Sequence, residues 1–142
     1  DLEVLKKFCN ELQDAQNNLL GKGALFFQYC QQYCHGKCCK NILVDDILTL
    51  LDFIFILTLN PAILEETLAA ARKETMFTDD CLFLANGLGP CMFAANQKPE
   101  RCITTFCQDT APLRNEIRKI RQQFSRILRL VILKRPMKFF GF

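Results

Sequence analysis

The sequence predicts an all-α fold: a single disulfide-stapled helical domain of six or seven helices, with a central apolar helix and a long basic C-terminal helix. Three observations predict it. Apolar residues recur at spacings of three and four through most of the chain, and β-branched alternation over five or more residues does not occur. Gly, Pro and capping residues punctuate those periodic stretches at short intervals. Nine cysteines are spread over 142 residues, a usage rare in reduced cytosolic proteins. Half of the residues are hydrophobic and 23% are charged, which fits neither a disordered chain nor a membrane bundle.

The first helix is predicted over residues 1–20, from Leu2, Leu5, Cys9, Leu12 and Leu19, and it ends near Gly21. The Gly-Lys-Gly at 21–23 is a turn. Residues 24–35 read as a second helix with Phe26, Phe27, Cys30 and Cys34 on its inner side. Asn41 is the expected cap of a third helix. Its polar residues Asp45, Thr49 and Asp52 fall on one narrow stripe and its other sides are apolar, so it is expected at the centre of the domain, enclosed by its neighbours. Its most apolar stretch, residues 47–59, contains Asp52 and is too short for a membrane span. Asn60-Pro61 starts a fourth helix reaching about Met76. A short fifth helix is expected from Thr78 to Asn86, a helical piece from Cys91 to Asn96, and another from Pro99 to Cys107. Thr110 and Pro112 open the last long helix, which runs to about Lys134 and stops at Pro136.

Charge divides the chain in two. Residues 1–112 hold 9 Lys/Arg against 14 Asp/Glu, a net of −5. Residues 113–142 hold 9 against Glu116 alone, a net of +8. The first segment is expected to be an acidic disulfide-linked body. The second is a basic amphipathic helix with a Phe-rich tail, either part of the same domain or an extension of it. Such asymmetry marks a segment that meets something anionic.

The cysteines stand at 9, 30, 34, 38, 39, 81, 91, 102 and 107. Cys30, Cys34, His35 and Cys38 could be read as a zinc site, but no C-x2-C knuckle occurs and the other cysteines are scattered singly. A thioredoxin-type redox motif needs C-x-x-C, which is missing. Disulfides in a secreted chain are the better reading. The 30–39 cluster is then a hub bonded to partners among Cys9, Cys81, Cys91, Cys102 and Cys107, with one of the nine unpaired or intermolecular. The chain starts at Asp1 without a basic-then-apolar leader, so the expectation is a removed signal peptide or an excerpt.

Signatures of catalysis are missing: there is one histidine, no H-E-x-x-H, no G-x-S-x-G and no Gly-rich phosphate loop. A His next to paired cysteines invites comparison with secreted phospholipases A2, but Gly36 follows His35 where those enzymes place Asp. The carboxylate pairs Asp45/Asp46, Glu65/Glu66 and Asp79/Asp80 sit at helix starts or on polar faces, where capping explains them. The expectation is no enzyme, no cofactor and no metal.

The spacings Cys9-x20-Cys30-x3-Cys34 and Cys81-x9-Cys91 are similar to those of insect odorant-binding proteins, helical six-cysteine carriers of apolar ligands. The resemblance covers cysteine spacing only. The Cys34-to-Cys81 gap is long for that family, and Cys38, Cys39, Cys107 and the basic tail are additional. It implies a carrier with an apolar ligand in a cavity lined by some of the 13 Phe.

The C-terminal segment carries the strongest functional signal. Leu113, Ile117, Ile120, Phe124, Leu128 and Val131 form an apolar stripe, with Arg114, Arg118, Arg121 and Arg129 beside it and Lys119 and Arg126 on its flanks. This is a cationic amphipathic helix of about 36 Å. Ile117 and Ile120 are expected to pack on the body, while residues from Leu128 onward need a second surface. The contact residues are therefore expected to be Arg118, Arg121, Arg126, Leu128, Arg129, Val131, Ile132, Lys134, Arg135, Phe139, Phe140 and Phe142. The expected function is that of a secreted binding or assembly protein that engages a protein partner or its own copy. A membrane-active effector or toxin using the same tail on anionic lipid is the alternative, followed by the apolar carrier. The arginines lack interleaved aromatic residues, so nucleic acid is not an expected partner.

Overall fold

The computed structural model describes residues 2–29, 47–72, 81–84 and 90–134. Among them are six α-helices and no strand beyond one isolated bridge. The all-α expectation holds.

The first helix, α1, spans Leu2–Lys22 and buries Cys9, Leu12, Gln16 and Leu19, one residue per turn on a single face. It ends at Gly23, whose N–H donates to the Leu19 carbonyl at 2.7 Å. A side chain at 23 would put its Cβ 2.8 Å from that carbonyl and 3.2 Å from both Leu113 and Phe27. Only glycine lets these three groups meet. The second helix, α2, spans Ala24–Tyr29. Its Phe26 and Phe27 meet Phe106 edge to face, with centroids 5.9 and 5.2 Å apart.

The third helix, α3, spans Leu50–Leu59. It is capped by Thr49, not by Asn41, because Thr49 and Asp52 close a reciprocal capping box. The Thr49 hydroxyl accepts from the Asp52 N–H, and the Asp52 carboxylate accepts from the Thr49 N–H at 2.8 Å. Residues 41–46 lie outside the described residues. Nor is α3 enclosed on all sides. Phe55 and Ile56 are buried against α1 and the last helix, but Leu50 is exposed and Leu51, Phe53, Ile54 and Leu57 are only half-buried. A 3-10 turn at Pro61–Ile63 leads into α4, Leu64–Ala71, with Glu65 and Glu66 in its first turn, where the helix dipole favours them, although no side chain hydrogen-bonds to cap its start.

The helices expected at 78–86 and 91–96 are not formed where the chain is described. Residues 81–84 make a turn, and Leu84 bridges Cys91 in antiparallel fashion. The Met92 N–H donates to the Phe83 carbonyl at 2.9 Å. The reason lies in tertiary contacts. A helix this short gains too few hydrogen bonds to offset nucleation. Burial of Phe83 and Phe93, whose rings lie 4.9 Å apart, fixes the two segments side by side.

The fifth helix, α5, spans Glu100–Thr104 and so stops short of Cys107. The second oxygen of Asp52 accepts from the Glu100 N–H at 2.8 Å, so one buried carboxylate starts both α3 and α5. After a 3-10 turn at Ala111–Leu113 comes α6, Arg114–Lys134. It packs along α1, and this is the most extensive helix–helix contact among the described residues. The two helices run antiparallel: Lys22 meets Glu116, and Glu11 meets Arg126. The core lies between α1, α3 and α6, where Phe55 meets Phe124 edge to face at 5.7 Å.

Candidate binding surface on the C-terminal helix

The apolar stripe that runs from the 3-10 turn into α6 buries Leu113, Ile117, Ile120, Phe124 and Ile127. The burial follows spacings of four, three, four and three, the period of a straight helix. The expected stripe had Leu128 in place of Ile127. Leu128 instead points outward, 43% exposed, with Ile132 at 45% and Leu133 at 76%. Val131 is half-buried against the core. The last two turns of α6 are therefore apolar on two sides, and one of them has no neighbour among the described residues.

The cations divide into two kinds. Arg126 is exposed but pinned to its own chain: its guanidinium donates to Glu11 and, at 2.9 Å, to Gln123, and it lies over the Phe8 ring at 4.4 Å. It therefore fastens α6 to α1, a positioning role not read from its place in the sequence. Arg121 pairs with Glu100 at 3.5 Å. Burial pushes the Glu100 carboxyl up, with Arg121 acting in the opposite direction. Arg114, Arg118 and Arg129 are exposed and have no carboxylate partner among the described residues. Lys134 ends α6, and Arg135, Phe139, Phe140 and Phe142 lie outside the described residues.

Arg114, Arg118 and Arg121 share a further feature. With Thr104, Thr110 and Ile117 they line an open cleft of about 340 Å³ where the end of α5 meets the start of α6. Sequence spacing places the three arginines on one flank, but Thr104 and Thr110 reach them only through the fold.

Two buried polar groups also went unread. Glu116, on the core side of α6, accepts from Lys22, and that bond holds its carboxyl below the ordinary value. Gln16 is wholly buried on α1. Gln16 interrupts the apolar stripe of α1 between Leu12 and Leu19, and Glu116 is the lone acid of a basic segment; those were the available signals.

No disulfide joins the described cysteines: Cys9, Cys81, Cys91 and Cys107 are thiols. Cys9 is fully buried, and burial pushes its thiol up to about 11 against a weaker opposing hydrogen bond from Thr58. Cys81 is also raised by burial. Cys102 lies on α5. The hub of Cys30, Cys34, Cys38 and Cys39, and His35 with it, lies outside the described residues. Among the described residues no helix is long and apolar enough to cross a membrane, and no group of three or more His, Cys, Asp or Glu is placed to hold a metal ion. No known family model, no curated protein and no solved structure matches the chain.

Proposed function

We propose that this is a secreted, non-catalytic assembly protein that binds a second copy of itself head to tail through the far half of α6. The observation that carries the reading is the complementarity of two exposed helix surfaces. On α6, Leu128, Ile132 and Leu133 stand beside Arg129. On α4, Leu64 and Leu68, 40% and 38% exposed, stand one turn apart beside Glu65. One surface is apolar and cationic, the other apolar and acidic. Pairing two α6 helices would set one cationic segment against another, whereas α6 on α4 opposes unlike charges. Apolar burial supplies the affinity, at about 1.5–3 kcal/mol for each large side chain fully covered. Exposed ion pairs add about 0–1 kcal/mol each and set the orientation. A head-to-tail contact leaves one surface free at each end, so rings or open chains are expected.

The nine cysteines support secretion and disulfide pairing. Burial and a raised pKa make Cys9 the best candidate for the odd one left over. Cys81, Cys91 and Cys107, which are thiols in the structure, would then pair with the 30–39 cluster in the secreted protein. Intact mass with alkylation before and after unfolding tests this: one thiol, reactive only in denaturant, is expected. Several thiols reactive in the folded chain would contradict the pairing.

Sedimentation velocity across micromolar concentrations tests the assembly. The mass should rise with concentration and fall with salt. Leu128→Glu should abolish association, Arg129→Glu should weaken it, and adding Glu65→Arg to Arg129→Glu should restore it. A monomer at every concentration contradicts the reading. Flotation of that monomer with anionic vesicles would turn it toward a membrane surface.

A further inference from the structure

We propose that the cleft at the junction of α5 and α6 is a binding site for a small molecule bearing a diphosphate group. Arg114, Arg118 and Arg121 line it at i, i+4 and i+7, so their backbone positions span about 10 Å along one helix face. That span matches two adjacent phosphoryl groups better than a single one. The volume of about 340 Å³ accepts a diphosphate, and the open mouth lets the rest of the molecule project into solvent.

Folding stability does not explain these residues. Like charges four apart repel along a helix. Arg114 is also the first residue of α6, where the helix dipole disfavours a cation and favours an anion. Arg114 and Arg118 have no carboxylate partner among the described residues. Arg121 has Glu100, but at 3.5 Å the pair is longer than a good charge-assisted hydrogen bond of about 2.7–2.9 Å. Thr110 lines the cleft with a hydroxyl that can donate. Thr104 cannot add a donor, because its hydroxyl already donates to the Glu100 carbonyl at 2.8 Å. Ile117 is buried beneath the arginines and provides an apolar floor that excludes water from one side of the ligand. Guanidinium forks match phosphoryl oxygens in geometry as well as charge.

The test is isothermal titration calorimetry of the full chain with pyrophosphate, with inorganic phosphate and sulfate as comparison probes. Saturable one-to-one binding of pyrophosphate, tighter than either comparison ion, is expected. Arg114→Ala and Arg118→Ala should each weaken it about tenfold. Both side chains are exposed, so the fold should survive, and circular dichroism checks that it does. Glu100→Gln should tighten binding by freeing Arg121. Lys7→Ala, an equal change of charge on an exposed position of α1, should leave it unchanged. Absence of saturable binding overturns the proposal. So does an equal loss in Lys7→Ala, which would mean diffuse charge attraction, or a preference for sulfate over pyrophosphate.

Discussion

The side chain of Gln16 and the backbone of Lys98 form a closed pair of hydrogen bonds across 82 residues of sequence. The amide donates to the Lys98 carbonyl at 2.8 Å, and the Lys98 N–H donates back to the amide oxygen at 3.0 Å. This pair holds the connection before α5 against α1, and α5 forms one side of the cleft. A buried residue that removes both bonds leaves two backbone groups unsatisfied. Gln16→Leu should therefore destabilise the fold by about 2–3 kcal/mol, despite its better hydrophobicity. Gln16→Glu keeps the acceptor but loses the donor. Urea unfolding of both variants measures the effect, and no loss in Gln16→Leu would mean that water or relaxation replaces the pair.

Adjacent residues on α6 should behave oppositely. Ile127 is fully buried and Leu128 is 43% exposed. Ile127→Ala should cost about 2–5 kcal/mol through lost burial and a cavity. Leu128→Ala should stay within about 0.5 kcal/mol in dilute, monomeric protein. Equal losses from denaturant titrations would show that the face assigned to α6 is wrong. Truncating α6 after Phe124 should likewise unfold the domain, since it removes Ile127 and the Arg126 contacts with Glu11 and Phe8.

Lys22 and Glu116 should make stability depend on acid pH. The Lys22 bond holds the folded-state pKa of Glu116 below its ordinary 4.5. A depressed carboxyl stabilises the fold above its ordinary value, and that stabilisation is lost as pH falls through the folded value. Lys22→Met should be less stable than the parent at neutral pH, and the difference should shrink as pH falls below the ordinary carboxyl range. Glu100, raised by burial, contributes with the opposite sign, but it is common to both proteins and drops out of the comparison. A difference that does not vary with pH would mean that Lys22 acts through packing alone.

The long helices were legible because α1 and α6 repeat an apolar face over about six turns each; Pro112 marks the start of α6, and α1 runs through Gly21, its expected end, to Lys22. The regions around Phe83 and Phe93 were not, because two isolated phenylalanines docking into a core leave no period to read. The helix that carries Asp52 begins at Leu50, later than expected, because the Asp52 carboxylate closes a capping box with Thr49, a reciprocal contact that apolar spacing does not show, while Asn41 lies outside the described residues. At the candidate surface, the sequence showed too many apolar residues after Phe124 for one face, and Leu128, Ile132 and Leu133 are exposed as that excess implied. The Arg126 bond to Glu11 was not legible, because nothing local announces a partner 115 residues away. The cleft was hidden likewise, since Thr104 and Thr110 meet the arginines only once α5 docks.

Hydrogen exchange along α6 at low and high protein concentration is the most direct test of head-to-tail assembly. As concentration rises, amide exchange should slow together in residues 128–134 of α6 and in Leu64–Ala71 of α4, while residues 114–120 stay as they were. Exchange that does not change with concentration would contradict the account, as would slowing confined to α6 with α4 untouched.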